Sequence, residues 1–258
     1  MESAGKLKII TARVTRICRE FTDCRVSLYA GNAIFFLVLS VVPLSAFVLG
    51  MIQWLPVSRQ SFLRVLYEIL PIDAAEFADR LLTAADPVAV LSVSAVTTLW
   101  AVSRGTYSLM LGLNRAGNMT EQRSWLRIRL SCLADTFLLI LSVVVACVLF
   151  LVAGPLLQTV QTQVLQFVLI TLFLSFVDRV FPIHTIPFRN TLPGAVFTSI
   201  VWRVFSSVYG LYLRLFSGAQ RLYGTLSAVA VTLLWLYFCV EILLLGAILN
   251  RIVSERPS

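Results

Sequence analysis

Residues 223–250 read YGTLSAVAVTLLWLYFCVEILLLGAILN, and the 25 residues from position 225 to 249 contain one charged side chain, Glu241. As a helix, a stretch of this length rises about 37 Å, which is enough to cross a hydrocarbon core of about 30 Å with some tilt. A carboxylate deep in such a helix is costly unless a neighbouring helix supplies a partner. The stretch therefore predicts a transmembrane helix that packs within a multispan bundle.

The composition of the whole chain agrees with a membrane protein. Of the 258 residues, 59% are hydrophobic and 13% are charged, and the mean hydropathy is +0.88. In soluble domains about a quarter of the residues are charged. The net charge of +8 fits cytoplasmic loops rich in Lys and Arg better than nucleic-acid binding, because no basic block is interleaved with aromatic residues. The polar, basic N-terminus predicts no cleavable signal peptide.

The cysteines and the histidine do not form a pattern typical of a metal site. Five cysteines are present without a CxxC pair, and His184 is the one histidine. We interpret the cysteines as apolar packing residues, not as disulfides or zinc ligands. The sequence therefore predicts no metal and no cofactor.

We predict an all-α integral membrane protein with six transmembrane helices, at residues 28–55, 88–111, 131–157, 164–181, 193–216 and 225–249. These form one membrane domain, residues 28–252, followed by a tail, residues 253–258. Residues 1–27 form a basic amphipathic helix on the cytoplasmic side, which either binds headgroups or packs beneath the membrane domain. Short amphipathic helices lie between the first two spans.

Several local features mark the expected ends and bends of these spans. Pro43 kinks the first span, and Pro193 occupies the first turn of the fifth. Gly224 ends the loop before the sixth span, and Thr225 or Ser227 caps it. Gly210, Gly218 and Gly224 near the outer ends of spans 5 and 6 either permit motion or allow close helix packing.

The distribution of Lys and Arg predicts the topology. With the N-terminus inside, 15 of the 21 cations lie on the cytoplasmic side, five lie outside, and Arg203 lies within a span. This bias favours an N-in, C-in arrangement.

Polar and ionisable residues at membrane depth are the candidate site. Arg203 lies about 15 Å from the cytoplasmic end of span 5, and Glu241 lies about 13 Å from the same side in span 6. Because these two spans are joined by a short loop, we expect the two side chains to meet. The predicted substrate cavity is lined by Asn32, Arg104, Asp135, Arg203 and Glu241. The alternative is a structural ion pair that joins two helices.

Short strings along the chain resemble the signatures of the YihY/BrkB family of bacterial inner-membrane proteins. They include WAVSRG (100–105), GLNR (112–115), LPGAVF (192–197), YGTL (223–226), LLWLY (233–237) and LLGA (244–247). The resemblance covers residues 25–252 and implies six helices in the inner membrane. The family was once labelled ribonuclease BN, which is regarded as a misattribution. It has no settled activity, and transport of lipids or other solutes is commonly suggested for it.

These observations favour a transporter or flippase-like protein for an anionic lipid or organic anion, with Arg as a bidentate donor. The alternatives are a membrane scaffold and, more remotely, a hydrolase or nuclease. Asp178 and His184 form either a dyad or, as we expect, a solvated loop end. No Gly-rich phosphate loop occurs, and we predict that the protein is not an enzyme. The expected partners are membrane lipids, anionic ones in particular, and not nucleic acid; a homo-oligomer stays open.

Overall fold

A computed structural model describes residues 15, 19–52, 87–121, 123–153, 159–184, 186–215 and 217–255 of the chain. All regular secondary structure within these residues is helical, which confirms the predicted all-α class. Most of the predicted amphipathic helix at residues 1–27, the segment between the first two spans and the end of the tail lie outside the described residues. Of the first, residues 19–23 are helical and end at a turn where Arg25 has φ 52°.

Seven helices are described: α1 (Val26–Leu39), α2 (Val41–Ile52), α3 (Pro87–Ala116), α4 (Trp125–Ala153), α5 (Thr159–Val180), α6 (Phe188–Leu215) and α7 (Ser217–Ser254). Within the described residues, four stretches are long and apolar enough to cross a membrane, namely Val26–Leu44, Gln161–Val180, Phe188–Tyr212 and Ala230–Ser254. They coincide with the first, fourth, fifth and sixth predicted spans. The chain is therefore a helical membrane protein.

The first predicted span is interrupted at Ser40, between α1 and α2. Pro43 lies three residues later and has no N–H to donate to the carbonyl of Leu39. The Ser40 hydroxyl donates to the carbonyl of Leu37 at 2.5 Å. The interruption lies within one turn of Pro43, where a proline is expected to kink a helix.

Four predicted helix starts are wrong. Helix α6 begins at Phe188, so that Pro193 lies inside the helix and has no N–H to donate to the carbonyl of Arg189. Helix α7 begins at Ser217 and runs through Gly224, so Gly224 does not end a loop and neither Thr225 nor Ser227 is a cap. One glycine costs about 1 kcal/mol in a helix, which the good helix formers around it offset. Helix α4 begins at Trp125 and helix α5 at Thr159, before the predicted starts at residues 131 and 164.

The chain divides into two compact units, Met1–Ile34 with Thr106–Ser258, and Phe35–Gly105. In the first unit α6 packs against both α5 and α7, and α4 contacts α5. Its buried core includes Ala30, Leu113, Val177, Phe181, Leu244 and Ile248. In the second unit the rings of Phe36 and Trp100 meet edge to face at 5.8 Å. The single membrane domain of residues 28–252 stays a prediction.

Candidate functional site

Helices α6 and α7 come into backbone contact where each has a glycine. A Cβ atom on Gly194 would overlap the carbonyl oxygen of Gly246 and the side chain of Asn250. A Cβ atom on Gly246 would overlap the hydroxyl of Thr198. Glycine is therefore needed at both positions, because any side chain would force the two helices apart.

Asn250 uses this close approach to join three helices. Its Oδ1 accepts a hydrogen bond from the backbone N–H of Gly194 on α6 at 2.6 Å. Its Nδ2 donates to Oδ2 of Asp178 on α5 at 2.9 Å. Asn250 is 5% exposed and Asp178 is 2% exposed. The three residues form a buried polar junction of α5, α6 and α7, which we call the Asn250 junction.

Asp178 differs from what its sequence context predicts. It was expected at a solvated loop end or in a dyad with His184, but it lies buried near the end of α5, whereas His184 is exposed. The helix continues to Val180, so the last turn points the carboxylate at α7 instead of at water. Oδ1 of Asp178 is buried and has no hydrogen-bond partner within the part of the chain that the structure describes.

Pairs of buried hydroxyl groups connect α5 to α6. Ser175 and Thr191 lie 2.6 Å apart, oxygen to oxygen. Thr171 donates to Ser199 at 2.9 Å. Each such bond between membrane helices contributes about 0.6 kcal/mol on average. Together with the Asn250 junction, these pairs fix α5 against α6.

A second polar cluster holds the turn between α3 and α4. Asn114, 2% exposed, accepts from the backbone N–H of Ile183 at 2.9 Å and donates to Glu121 at 3.4 Å. Glu121 pairs with Arg123 at 2.9 Å. The hydrogen bond from Arg123 to Glu121 raises the pKa of Arg123, so this guanidinium stays charged. The cluster ties the α3–α4 turn to the segment after α5.

The predicted meeting of Arg203 and Glu241 is wrong. Glu241 is half-buried and accepts hydrogen bonds from Ser27 and Tyr237, each at 2.6 Å. Arg203 is exposed and donates to the carbonyl of Gln163 on α5 at 3.4 Å.

The reason is the helical phase of α6. The residues of α6 that bond to α5 are Thr191, Ser199 and Arg203, whereas those that meet α7 include Gly194 and Thr198. Arg203 therefore shares a face with the α5 contacts. The ion-pair alternative, in which Arg203 and Glu241 join span 5 to span 6, fails for the same reason.

The other predicted cavity residues have different environments. Asn32 is exposed on α1, and Asp135 is buried on α4 at 8% exposure. Arg104, in the second unit, lies 5.6 Å from the ring centroid of Phe36 and 6.0 Å from that of Trp100. No described hydrogen bond or ion pair joins any two of the five residues, and the shared cavity stays a prediction.

The contact of Gly194 with Gly246 beside the Asn250 junction could have been found from the sequence strings themselves. LPGAVF contains Gly194, LLGA contains Gly246, and Asn250 ends the last apolar run. A glycine in each of two adjacent membrane helices is typical of close helix contact. Among the described residues, no group of three or more His, Cys, Asp or Glu side chains could hold a metal ion.

Comparison with known proteins places the chain among bacterial membrane proteins. It is 25% identical over 242 residues to the putative ribonuclease-like protein YfkH of Bacillus subtilis, covering 86% of this chain and 88% of that protein. It is 25% identical over 254 residues to a UPF0761 membrane protein of Chromobacterium violaceum, covering 92% of this chain and 61% of that protein. A UPF0761 membrane protein of Stenotrophomonas maltophilia is 40% identical over 86 residues, 33% of this chain and 19% of that protein.

No solved structure matches the chain. The chain spans less than two thirds of the length of the two UPF0761 relatives. The apolar helices and these relatives identify a multi-pass protein of the bacterial inner membrane. The family model described as virulence factor BrkB matches residues 17–258, and the chain therefore belongs to the BrkB family.

Proposed function

We propose that the protein is a six-span transporter or flippase-like protein, with both termini in the cytoplasm, that handles an anionic lipid or an organic anion. The observation that carries the proposal is Arg203, an exposed guanidinium in the middle of a membrane-spanning helix. In this proposal the protein is not an enzyme, and its partners are membrane lipids.

Arg203 has donors to offer to an anion. It lies 15 residues after the start of α6 at Phe188, which is about 22 Å along the helix. A guanidinium has five N–H donors, and the described contacts use one of them, at the long distance of 3.4 Å. A cation at membrane depth costs about 2.5–3.5 kcal/mol on insertion scales. A phosphate or carboxylate group of a ligand would offset this cost through a bidentate hydrogen bond.

The surroundings of Glu241 support the same interpretation. Its described partners are the hydroxyl groups of Ser27 and Tyr237, so within the described residues it does not neutralise Arg203. The charge of Arg203 is therefore left for an anion that reaches its exposed side chain beside α5.

The names of the relatives do not name a substrate for this chain. "Ribonuclease-like" describes the Bacillus protein, and the UPF0761 names state only a membrane protein. A scaffold is the second candidate, favoured by the backbone contact of Gly194 with Gly246, because such close packing makes a rigid helical block. The two candidates differ in whether a charge on α6 binds lipid.

Native mass spectrometry of the gently extracted full chain tests the proposal, with phosphatidylglycerol as the added probe. We expect the wild type to retain this anionic lipid and Arg203→Ala to bind it about tenfold or more weakly, because a charged hydrogen bond contributes about 1.5–3 kcal/mol. Arg203→Lys keeps the charge and should lose less.

Arg179→Ala is the matched control, because Arg179 is an exposed arginine near the end of α5. Retention should be unchanged in this variant. Equal retention by wild type and Arg203→Ala would contradict the proposal. A co-purifying protein together with an absence of lipid in all variants would instead favour the scaffold.

A further inference from the structure

Asp178 is a buried carboxyl group that the proposed function does not use. It is 2% exposed and lies in the membrane-spanning stretch Gln161–Val180. Its Oδ2 accepts a hydrogen bond from Nδ2 of Asn250 at 2.9 Å. Its Oδ1 has no hydrogen-bond partner among the described residues, although that atom is shielded from solvent. One of the two oxygens is therefore left without a partner from the side chains that the structure describes.

The charged side chains on the adjoining elements do not act as counter-ions. Arg179 on α5, His184 after it and Arg189 on α6 are exposed. Arg251 on α7 pairs with Glu20. The remaining charged residues of α4 and of the end of α3 are Arg127, Arg129, Asp135 and Arg115. The described polar contact of the Asp178 carboxyl group is the hydrogen bond from Asn250.

The energetics favour a neutral group in this place. An ionised carboxylate without a counter-ion in a medium of low dielectric constant is so costly that such groups neutralise instead. A protonated carboxyl group keeps Oδ2 as a carbonyl oxygen, which accepts the Asn250 hydrogen bond as observed. The proton then resides on Oδ1, the oxygen that has no donor directed at it.

We propose that Asp178 is a proton-binding site, which holds a proton on Oδ1 while the Asn250 junction is closed. On release, the Oδ1–H bond breaks, its electron pair stays on Oδ1, and the proton passes to a water molecule. The resulting carboxylate needs hydration, which the closed junction does not provide. Release of the proton therefore separates α5 from α7 and loosens the link to Gly194 on α6.

This site is independent of the proposed anion at Arg203. Asp178 bonds to α7, whereas Arg203 bonds to Gln163 near the other end of α5. Arg203 also lies nine residues after Gly194, which is about 14 Å along α6. Failure of lipid binding at Arg203 would leave the proton site unaffected, and the reverse also holds.

Infrared difference spectroscopy of the full chain in phospholipid vesicles tests the proposal. At neutral pH we expect the carbonyl band of a protonated carboxylic acid, which shifts when aspartate is labelled with ¹³C and is lost at alkaline pH. Asp178→Asn should remove this band, because the amide is a neutral mimic of the acid with nearly the same shape. Asp135→Asn is the matched control, since Asp135 is the other buried aspartate among the described residues, and it should leave the Asp178 band in place.

The dependence of stability on pH gives a second measurement. If the folded wild type holds one more proton than the unfolded chain, raising the pH destabilises it relative to Asp178→Asn, by up to about tenfold in the unfolding constant per pH unit. A band unchanged in Asp178→Asn, or equal pH profiles for the two chains, would overturn the proposal. So would a band that sodium chloride removes at constant pH, because that result would assign a cation to Oδ1.

If Asp178→Asn does not fold, the chain that carries Asp135→Asn decides the question. Labelled with ¹³C-aspartate, it should still show the shifted acid band at neutral pH. An absence of the band in that chain would overturn the proposal.

Discussion

The two ends of the α6–α7 contact are packed in different ways. At one end, which we call the glycine end, Gly194 and Thr198 of α6 meet Gly246 and Asn250 of α7 with their backbones in contact. At the other, which we call the aromatic end, rings fill the space. There Trp202 lies 6.4 Å from Trp235 and Phe205 lies 5.4 Å from Phe238, centroid to centroid.

The difference shows why the buried polar groups collect at the glycine end. Where no side chain separates the helices, a short amide such as Asn250 reaches the backbone of one neighbour and the carboxyl of another. At the aromatic end a long side chain is needed, and Tyr209 reaches across to donate to the carbonyl of Val231. Membrane helices associate through such close packing and hydrogen bonds, since lipid offers no hydrophobic drive between them.

The largest expected effect separates the glycine end from the aromatic end directly. Gly194→Ala should destabilise the protein by about 2–3 kcal/mol, because its Cβ overlaps backbone atoms of Gly246 that cannot move aside. Gly210→Ala near the aromatic end should be neutral or slightly stabilising, because its Cβ would meet nothing within 4 Å and alanine favours a helix. Thermal unfolding of both variants in detergent measures the difference.

Equal unfolding temperatures for these two variants would show that the helices separate at the glycine end without cost. In that case the contact of Gly194 with Gly246 would not be what holds α6 against α7.

The sequence predicts the four spans that the structure supports because their signal is local. A run such as residues 225–249, with Glu241 as its one charge, identifies a membrane helix from its own composition. The partners of a buried charge are not local. Helical rise gave similar depths for Arg203 and Glu241, but neighbouring residues differ by about 100° around a helix, and Arg203 faces α5.

Local rules also fail where the bundle overrides them. Pro193 and Gly224 usually mark helix ends, yet α6 and α7 run through them. Asp178 stands next to Arg179 before a proline-containing segment, which is typical of a solvated loop. Its burial depends on Asn250, 72 residues away in the chain, and no pattern around Asp178 indicates that contact.

A smaller effect is expected from the side chain that joins the glycine end to α5. Asn250→Ala should cost about 1–2 kcal/mol, because the N–H of Gly194 and the carboxyl of Asp178 lose their partner and a hydrogen bond between membrane helices contributes about 0.6 kcal/mol on average. Asn32→Ala is the matched control, because Asn32 is exposed. Thermal unfolding should show a clear loss for Asn250→Ala and almost none for Asn32→Ala; the same small loss for both would contradict a structural role of the junction.

The smallest effect concerns Cys24, which lies outside the membrane-spanning stretches and whose thiol donates to the carbonyl of Arg115 at 3.5 Å. Burial raises the pKa of the Cys24 thiol, although Arg251 and Arg115 act in the opposite direction. The thiolate is the reactive form, so alkylation of Cys24 by a water-soluble maleimide should be slow. It should reach half its maximal rate at a higher pH than the alkylation of an exposed thiol does.

The test chain keeps Cys24 and has its other four cysteines replaced by alanine. The control is the same chain with Cys24→Ala and Asp23→Cys, since the side chain of Asp23 is 65% exposed. If Cys24 titrates as the exposed thiol does, water reaches the thiol beside Arg251. In that case the close packing of the glycine end does not extend from Asn250 to its neighbour Arg251.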